Sequence, residues 1–308
     1  MNADVSSREG PTKNFFIFGH NISHTLSPTL HNTGFKELGL PHHYQIHQTV
    51  SVDDTVKDII QRDDFGGASV TFPHKLQIGR LLDSVTDFAD KIGAVNTVVV
   101  DTDSTSGERR LVGDNTDWHG IKRCIAKSEL QDLQSSAALV LGAGGAARAA
   151  CFAIQELGIS EVLIVNRTAS KAYDMAISFP GIKEVHVFET LEEAVANRKS
   201  LGAFVKPLRV VVACVPADDL GSEKIPAALF SGAKSGVLVE MAYRPQVTGM
   251  MFAASLHEGW RVFRGVDVLE EQAYAQFELW TGRKAPVEVM RTAMQAKIKE
   301  NEQAASFK

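Results

Sequence analysis

The sequence predicts an α/β protein of two successive blocks, and three observations carry that prediction. Short apolar runs alternate with segments of helical period from Phe15 onward. A glycine-rich turn near residue 142 joins one such run to a helix. The length of 308 residues suits two domains of about 150 residues each.

The first block opens with a buried strand, Phe15–Gly19, followed by a helix that Ser27 caps and Pro28 begins, ending near Leu38 with Gly39 as its C′ residue. Strands at His43–Gln48 and Ala68–Thr71 alternate with helices at Asp53–Gln61 and Lys75–Leu82. Asn96–Asp101 and Arg110–Gly113 form a strand pair around the polar hairpin Thr102–Glu108. Repeated βα units of this kind imply a largely parallel sheet under helices. The second block is a doubly wound sheet, with strands at Ala137–Leu141, Glu161–Asn166, Val185–Phe188, Arg209–Cys214, Gly236–Glu240 and Arg261–Arg264. Gly144–Glu156 and Thr168–Ser178 are helices between them. Two further helices, Glu270–Trp280 and Pro286–Glu300, follow without a strand, and the first block is their expected host.

Composition narrows the function classes. Hydrophobic residues are 44% and charged residues 22%, ordinary globular usage that excludes disordered and fibrous chains. No apolar run approaches the ~20 residues that span a bilayer, so no membrane partner is expected. A formal charge of −5 gives no reason to expect nucleic acid. Cys124, Cys151 and Cys214 lack paired spacing and read as reduced thiols of a cytoplasmic protein. Met1–Lys13 is polar, without the apolar core of a secretory signal, and reads as a loose leader; Lys299–Lys308 reads as a fraying tail.

The turn is Gly142-Ala143-Gly144-Gly145-Ala146-Ala147-Arg148. Its glycines allow a tight bend and close approach to a pyrophosphate, Ala147 takes the third small position, and the helix start supplies free N–H groups. The pattern is a weak signal alone; its strand–turn–helix context makes it a dinucleotide site. The end of the next strand distinguishes the cofactors. An acid there would bind the ribose hydroxyls of NAD, but this chain has Asn166-Arg167-Thr168, with Arg167 lying 22 positions after Gly145 and Lys171 one turn on. Cations and a hydroxyl suit the 2′-phosphate of NADP. NADP is therefore the expected cofactor and NAD the alternative; a plain solvated helix start is the bland reading.

Two polar elements of the first block look chemical: Thr71-Phe72-Pro73-His74-Lys75 at a strand end, and Gly113-Asp114-Asn115-Thr116-Asp117 leading into a helix. Taken alone, Lys75 reads as a surface residue and Asp117 as an N-cap. Together with Leu26-Ser27-Pro28-x-Leu30-His31-Asn32, Gly93-Ala94-Val95-Asn96-Thr97, Tyr243-x-Pro245-x-x-Thr248 and Gln272-Ala273-x-x-x-Phe277-x-x-Trp280, they form an ordered series. By these motifs, from Phe15 to about Trp280, the chain resembles the shikimate dehydrogenase family, which includes quinate dehydrogenases.

The resemblance implies an N-terminal α/β substrate domain, residues 1–116 and 268–308, and a Rossmann-type doubly wound nucleotide domain, residues 117–267, with the C-terminal helices returning to the first. It implies reversible hydride transfer between NADPH and 3-dehydroshikimate, with Lys75 and Asp117 as the acid–base pair. Thr25 and Ser27 match the family's carboxylate-binding hydroxyls, Thr71, Asn96 and Gln272 its contacts to substrate hydroxyls, and Tyr243 another lining residue. Gly142, Ala143, Gly144, Gly145, Ala146, Asn166, Arg167, Thr168, Lys171 and Gly265 are the expected cofactor contacts. The implied partner is a small cyclohexene or cyclohexane carboxylate, bound by a monomer or homodimer.

Departures from the family pattern qualify the substrate. Thr25 stands where serine is common, Ser69 where asparagine is frequent, Ala213-Cys214-Val215-Pro216 for a more polar stretch, and Glu240 for an aspartate. Several look more like the shikimate dehydrogenase part of the fungal multifunctional aromatic-pathway polypeptide. Read as free-standing, the chain would be surplus beside that polypeptide, which favours catabolic quinate oxidation. A quinate or dual quinate/shikimate dehydrogenase is thus the rival reading, and a non-catalytic quinate/shikimate sensor a third. Retained Lys75, Asp117 and glycine turn argue against the sensor. The histidines near residues 20–31 and 42–47 lack HExxH spacing or cysteine partners, so no metal is expected.

Overall fold

The computed structural model describes residues 11–103, 105–201, 206–218 and 220–306. The expected leader therefore falls, up to Gly10, outside the described residues. The chain divides into two compact units, one of Met1–Val85, Val95–Asp114 and Ala273–Lys308, the other of Thr86–Ala94 and Asn115–Gln272. These boundaries differ from the expected 116/117 and 267/268 by a few residues, and residues 86–94 move from the first block to the second unit.

Along the chain come β1 (Asn14–Gly19), α1 (Ser27–Glu37), β2 (His43–Gln48), α2 (Asp54–Ile60), β3 (Phe65–Val70), β4 (Ser84–Val85), α3 (Asp87–Ile92), β5 (Thr97–Thr102) and β6 (Arg109–Asp114). In the first unit the strands form one sheet in the order β2-β1-β3-β5-β6-β4. It is largely parallel with one strand reversed: β1 pairs parallel with β2 and β3, and β4 with β6, whereas β5 runs antiparallel to both β3 and β6. The hairpin accounts for the β5–β6 pair. Asp103 accepts the Thr105 and Ser106 amides at 2.9 and 2.7 Å, a tight reversal that permits only antiparallel neighbours.

Two local expectations need correction. Ser27 is the first helical residue of α1 and not its cap; Leu26 holds the cap position, and the Thr25 hydroxyl takes the Ser27 amide from upstream at 3.3 Å. Residues 75–82 form two 3₁₀ turns, His74–Leu76 and Ile78–Leu81, in place of one α-helix. The Gln77, Arg80 and Leu82 amides bind the carbonyls three residues back, at 2.8, 3.3 and 3.2 Å, while the Lys75 carbonyl accepts the Val95 amide at 2.9 Å.

The remaining elements are α4 (Asp117–Lys127), β7 (Ala137–Leu141), α5 (Gly145–Glu156), β8 (Glu161–Val165), α6 (Ala169–Ala176), β9 (Glu184–Phe188), α7 (Leu191–Leu201), β10 (Leu208–Ala213), α8 (Ala228–Ser231), β11 (Gly236–Glu240), α9 (Gly249–Ser255), β12 (Trp260–Phe263), α10 (Gly265–Thr281) and α11 (Val287–Ser306). Within the segment expected to fray, α11 stays helical to Ser306, and the last two residues lie outside the described ones. α11 and the last part of α10 belong to the first unit. There Phe277 and Met290 crowd Gly34 of α1 so closely that a Cβ would sit 2.6 Å from the Phe277 ring.

In the second unit all six strands run parallel in the order β12-β11-β10-β7-β8-β9. Alternation sends Ala138 and Val140 of β7 into one apolar cluster and Ala137, Leu139 and Leu141 into another, so both faces are covered. Ile92 of α3 lies in the first of these clusters with Ile121 and Ala150, which explains why residues 86–94 join this unit. The strand order reverses between β7 and β10, and ligands of such sheets bind beyond the carboxyl ends at that point.

Candidate functional site

The glycine turn lies at that switch point. Gly142, at the end of β7, adopts φ +110°, and a Cβ there would come within 3.1 Å of the Cys214 carbonyl at the end of β10. Its amide is bound to the Val165 carbonyl at 2.8 Å, which holds the turn against β8. Gly144 is the N-cap of α5 with no side-chain cap, and the space where its side chain would stand is open. The first N–H groups of a twelve-residue helix therefore face an uncluttered approach, as a pyrophosphate requires. Ala143, Gly145 and Ala146 are half-buried around it, and Ala147 is fully buried where the helix meets the sheet. Arg148 points away from the phosphate approach: its Nε donates to the Ile92 carbonyl at 2.5 Å and its Nη2 to Ser178 at 2.8 Å.

At the end of β8, Asn166 Nδ2 donates to the Thr168 carbonyl at 2.8 Å and shapes the bend into α6. Arg167, Thr168 and Lys171 are exposed there. Gly265 starts α10 in a crowded place, since a Cβ would lie 2.6 Å from the Ala242 carbonyl. These residues fit a dinucleotide: an open helix start for the pyrophosphate and cations beside the strand that reaches the adenosine ribose.

The expected substrate residues divide between the units. In the first, buried Thr25 donates its hydroxyl to buried Ser27 at 3.2 Å. Thr71 follows β3 and is half-buried, its amide bound to the Phe18 carbonyl at 2.9 Å. Lys75, also half-buried, sits on the first 3₁₀ turn. Asn96, 2% exposed, leads into β5 with its backbone amide on Asp114 and its carbonyl accepting Val70. Thr25, Ser27, Thr71, Lys75 and Asn96 thus belong to one unit, at the loops after β1 and β3 and before β5.

In the second unit, Asp117 begins α4 and is 5% exposed, its amide held by the Asn115 side chain at 3.0 Å. Gln272 accepts the Thr116 hydroxyl at 3.1 Å and donates to the Leu269 carbonyl at 3.1 Å. Tyr243 is half-buried on the loop after β11. Sequence reasoning missed the buried Gln276 and noted Glu240 only as a departure from the family's aspartate, without a role. Gln276, one turn beyond Gln272, is 1% exposed and hydrogen-bonds to Asn96. Glu240 anchors the Tyr243 loop through Ala242 and Thr248. The signal for Gln276 was a polar residue one turn from Gln272, on a helix that also carries Phe277 and Trp280.

Among the described residues no group of three His, Cys, Asp or Glu side chains could hold a metal ion, and no helix is long and apolar enough to cross a membrane. Burial pushes the thiols of Cys124 and Cys151 up to about 12, which suits inert core residues. Cys214 is half-buried at the end of β10.

A glycine turn at the switch point of a doubly wound parallel sheet, in a chain with a second α/β unit rich in buried hydroxyls and amides, is the architecture of a dinucleotide-binding α/β protein. Comparison with known proteins makes this specific. Residues 17–98 match the family model described as shikimate dehydrogenase substrate binding domain, residues 124–201 that of shikimate / quinate 5-dehydrogenase, and residues 265–295 that of the shikimate 5'-dehydrogenase C-terminal domain. The solved shikimate 5-dehydrogenase of Thermus thermophilus, in complex with NADP(H) and shikimate, is 31% identical with a TM-score of 0.72; the match covers 92% of this chain and 99% of that one. The chain belongs to the shikimate dehydrogenase family.

Fungal relatives are larger. The pentafunctional AROM polypeptide of Malassezia globosa is 43% identical over 281 residues, a match covering 90% of this chain and 17% of that protein. The solved dehydroquinate dehydratase and shikimate dehydrogenase from the AroM of S. pombe is 36% identical with a TM-score of 0.75, covering 92% of this chain and 53% of that one. The chain thus spans about one sixth of the length of the curated relatives it matches.

Proposed function

We propose that the chain catalyses the reversible, NADP-dependent oxidation of shikimate to 3-dehydroshikimate, with Lys75 and Asp117 as its acid–base pair. The observation that carries the cofactor choice is the end of β8. Arg167, Thr168 and Lys171 are exposed there, and the segment from Asn166 to Lys171 contains no carboxylate to repel a 2′-phosphate. The backbone of Gly142, Ala143, Gly144, Gly145 and Ala146 would take the pyrophosphate, with Asn166 shaping the bend and Gly265 keeping the floor low. The nicotinamide ring, when bound, accepts or returns the hydride.

In oxidation the carbinol carbon loses a hydride, the O–H electron pair becomes part of the carbonyl bond, and the proton passes to the Lys75 amine. In reduction the ammonium returns that proton to the developing alkoxide, whose charge it stabilises meanwhile. Asp117 is the pair's carboxylate, assigned to orient the reacting hydroxyl. Thr25 and Ser27 receive the carboxylate, and Thr71, Asn96, Gln272 and Tyr243 the ring hydroxyls and ring face.

Initial rates of shikimate and quinate oxidation, each with NADP and NAD, test the proposal. Dominant shikimate–NADP turnover is the expected result. Dominant quinate turnover would replace the substrate and direct attention to the Thr25 methyl. Ligand binding without turnover of any pair would make the chain a sensor.

A further inference from the structure

Five buried side chains of the first unit form one continuous hydrogen-bonded chain that ends on Asn96. The Tyr44 hydroxyl donates to Ser69 Oγ at 2.6 Å, and Ser69 donates to Gln276 Oε1 at 2.9 Å. Gln276 Nε2 donates to Thr97 Oγ1 at 2.9 Å and to the Asn96 backbone carbonyl at 3.2 Å. Thr97 in turn donates to Asn96 Oδ1 at 2.7 Å. All five residues are buried.

The direction of this chain is set at one point. A backbone carbonyl can only accept, so the end of the Gln276 amide that faces the Asn96 carbonyl must be the NH₂. Oε1 then faces Ser69 and must receive its proton, which leaves Tyr44 to donate to Ser69. On the other side, Thr97 accepts from Nε2 and spends its own proton on Asn96 Oδ1. Oδ1 of Asn96 is thereby committed as the acceptor, and the amide offers Nδ2, its donor end, in the other direction. Turning the Asn96 amide over would make Thr97 Oγ1 an acceptor twice and take from its buried proton the Oδ1 acceptor it has at 2.7 Å.

We propose that Gln276 and Thr97 are positioning residues that set the polarity of the Asn96 amide, so that Asn96 meets its ligand as a hydrogen-bond donor through Nδ2. The ligand atom is then an oxygen offering a lone pair, such as a ring hydroxyl of a cyclic polyol carboxylate. This rests on the reading of Asn96 as a substrate contact. It also gives Ser69 a purpose: its short hydroxyl can accept from Tyr44 while donating to Gln276.

Steady-state oxidation of shikimate by Gln276→Glu, Thr97→Val, Thr97→Ser and the Gln276→Glu/Thr97→Val double variant is the test, with a melting curve for each. Glu at 276 keeps the shape, but its carboxylate cannot donate and draws the Thr97 proton away from Asn96. Valine at 97 keeps the volume and removes the relay. Each is expected to raise KM for shikimate about tenfold, the worth of one good buried hydrogen bond, with kcat within about threefold. Both act through Thr97, so the double variant is expected to be no worse than the single ones, and Thr97→Ser to recover most of the loss.

An unchanged KM in Thr97→Val or Gln276→Glu overturns the inference, whatever the melting temperatures show, and so do fully additive effects. If one variant fails to fold, the KM of the other decides. A wild-type protein that binds shikimate without turning it over refutes the proposed activity alone; the same tenfold pattern is then read in Kd by titration calorimetry. A wild-type protein that does not bind shikimate removes both readings.

Discussion

Thr248 donates its hydroxyl to the Glu240 carboxylate at 2.7 Å, and the other oxygen of that carboxylate accepts the Ala242 amide at 3.0 Å. One side chain therefore ties together both ends of the loop that carries Tyr243. Thr248 does double duty, because its Oγ also accepts the Met251 amide at 3.2 Å and caps α9. Glu240 is 2% exposed, and burial pushes its carboxyl up to about 6, against the hydrogen bonds from Thr248 and from the Ala242 and Met241 amides.

This elevation has a signed consequence for stability. The native state keeps a proton on Glu240 that the unfolded chain releases at its ordinary value of 4.5. The stabilising contribution is full below that value and is lost as pH rises through about 6, a change of at most ~2 kcal/mol. Glu240→Gln removes the titration and keeps the shape. Melting curves of both proteins from pH 4.5 to 7.5 are expected to show the wild type losing a few degrees relative to the variant. A difference that does not change with pH would remove Glu240 from the pH response.

Lys75 is the test of the chemistry. Lys75→Ala is expected to lower kcat for shikimate oxidation by roughly 10²–10⁴-fold, the range for loss of a general acid/base. The apparent affinity for the cofactor should change far less, because the glycine turn belongs to the other unit. Near-normal turnover in this variant would exclude Lys75 as the proton acceptor.

Arg167 is the test of cofactor choice. It is exposed beside Thr168 and Lys171, so its removal should cost no fold stability beyond about 0.5 kcal/mol. If it pairs with a 2′-phosphate, Arg167→Ala is expected to raise KM for NADP by roughly 10–100-fold and KM for NAD by little. Equal weakening of both cofactors would show that another group reads the phosphate.

The second unit was largely legible in the sequence because its signals are local. Six short apolar strands, the glycine turn and the Asn166-Arg167-Thr168 corner each declare themselves within a dozen residues. The first unit was legible in outline but not in detail. The Lys75 carbonyl binds an amide twenty residues away at Val95, and the reversal of β5 against β3 joins segments distant in sequence. α3 joins the second unit through Ile92, although nothing in its own pattern tells which core it serves. Gln276 was passed over for the same reason: Ser69 and Thr97 lie 207 and 179 residues from it in sequence. Motifs name the residues that a ligand touches, while the side chains that orient them are found only when the chain is folded.

His31 supplies the opposite pH response to Glu240. It is fully buried on α1, stacked 4.6 Å from the Tyr44 ring and 4.9 Å from Trp280. Burial pushes the imidazole down to about 3, only partly opposed by a hydrogen bond with the Gln276 side chain. The unfolded chain therefore takes up a proton below pH 6.5 that the native state refuses, so this contribution is present above 6.5 and is lost as pH falls. His31→Leu keeps an apolar side chain in the cavity and removes the titration. Urea unfolding at pH 7 and pH 5 is expected to show the stability difference moving in favour of the variant by roughly 2 kcal/mol, whatever its value at pH 7. A constant difference would mean that His31 gains its proton in the native state as readily as in the unfolded one, and that the aromatic stack opens to admit water.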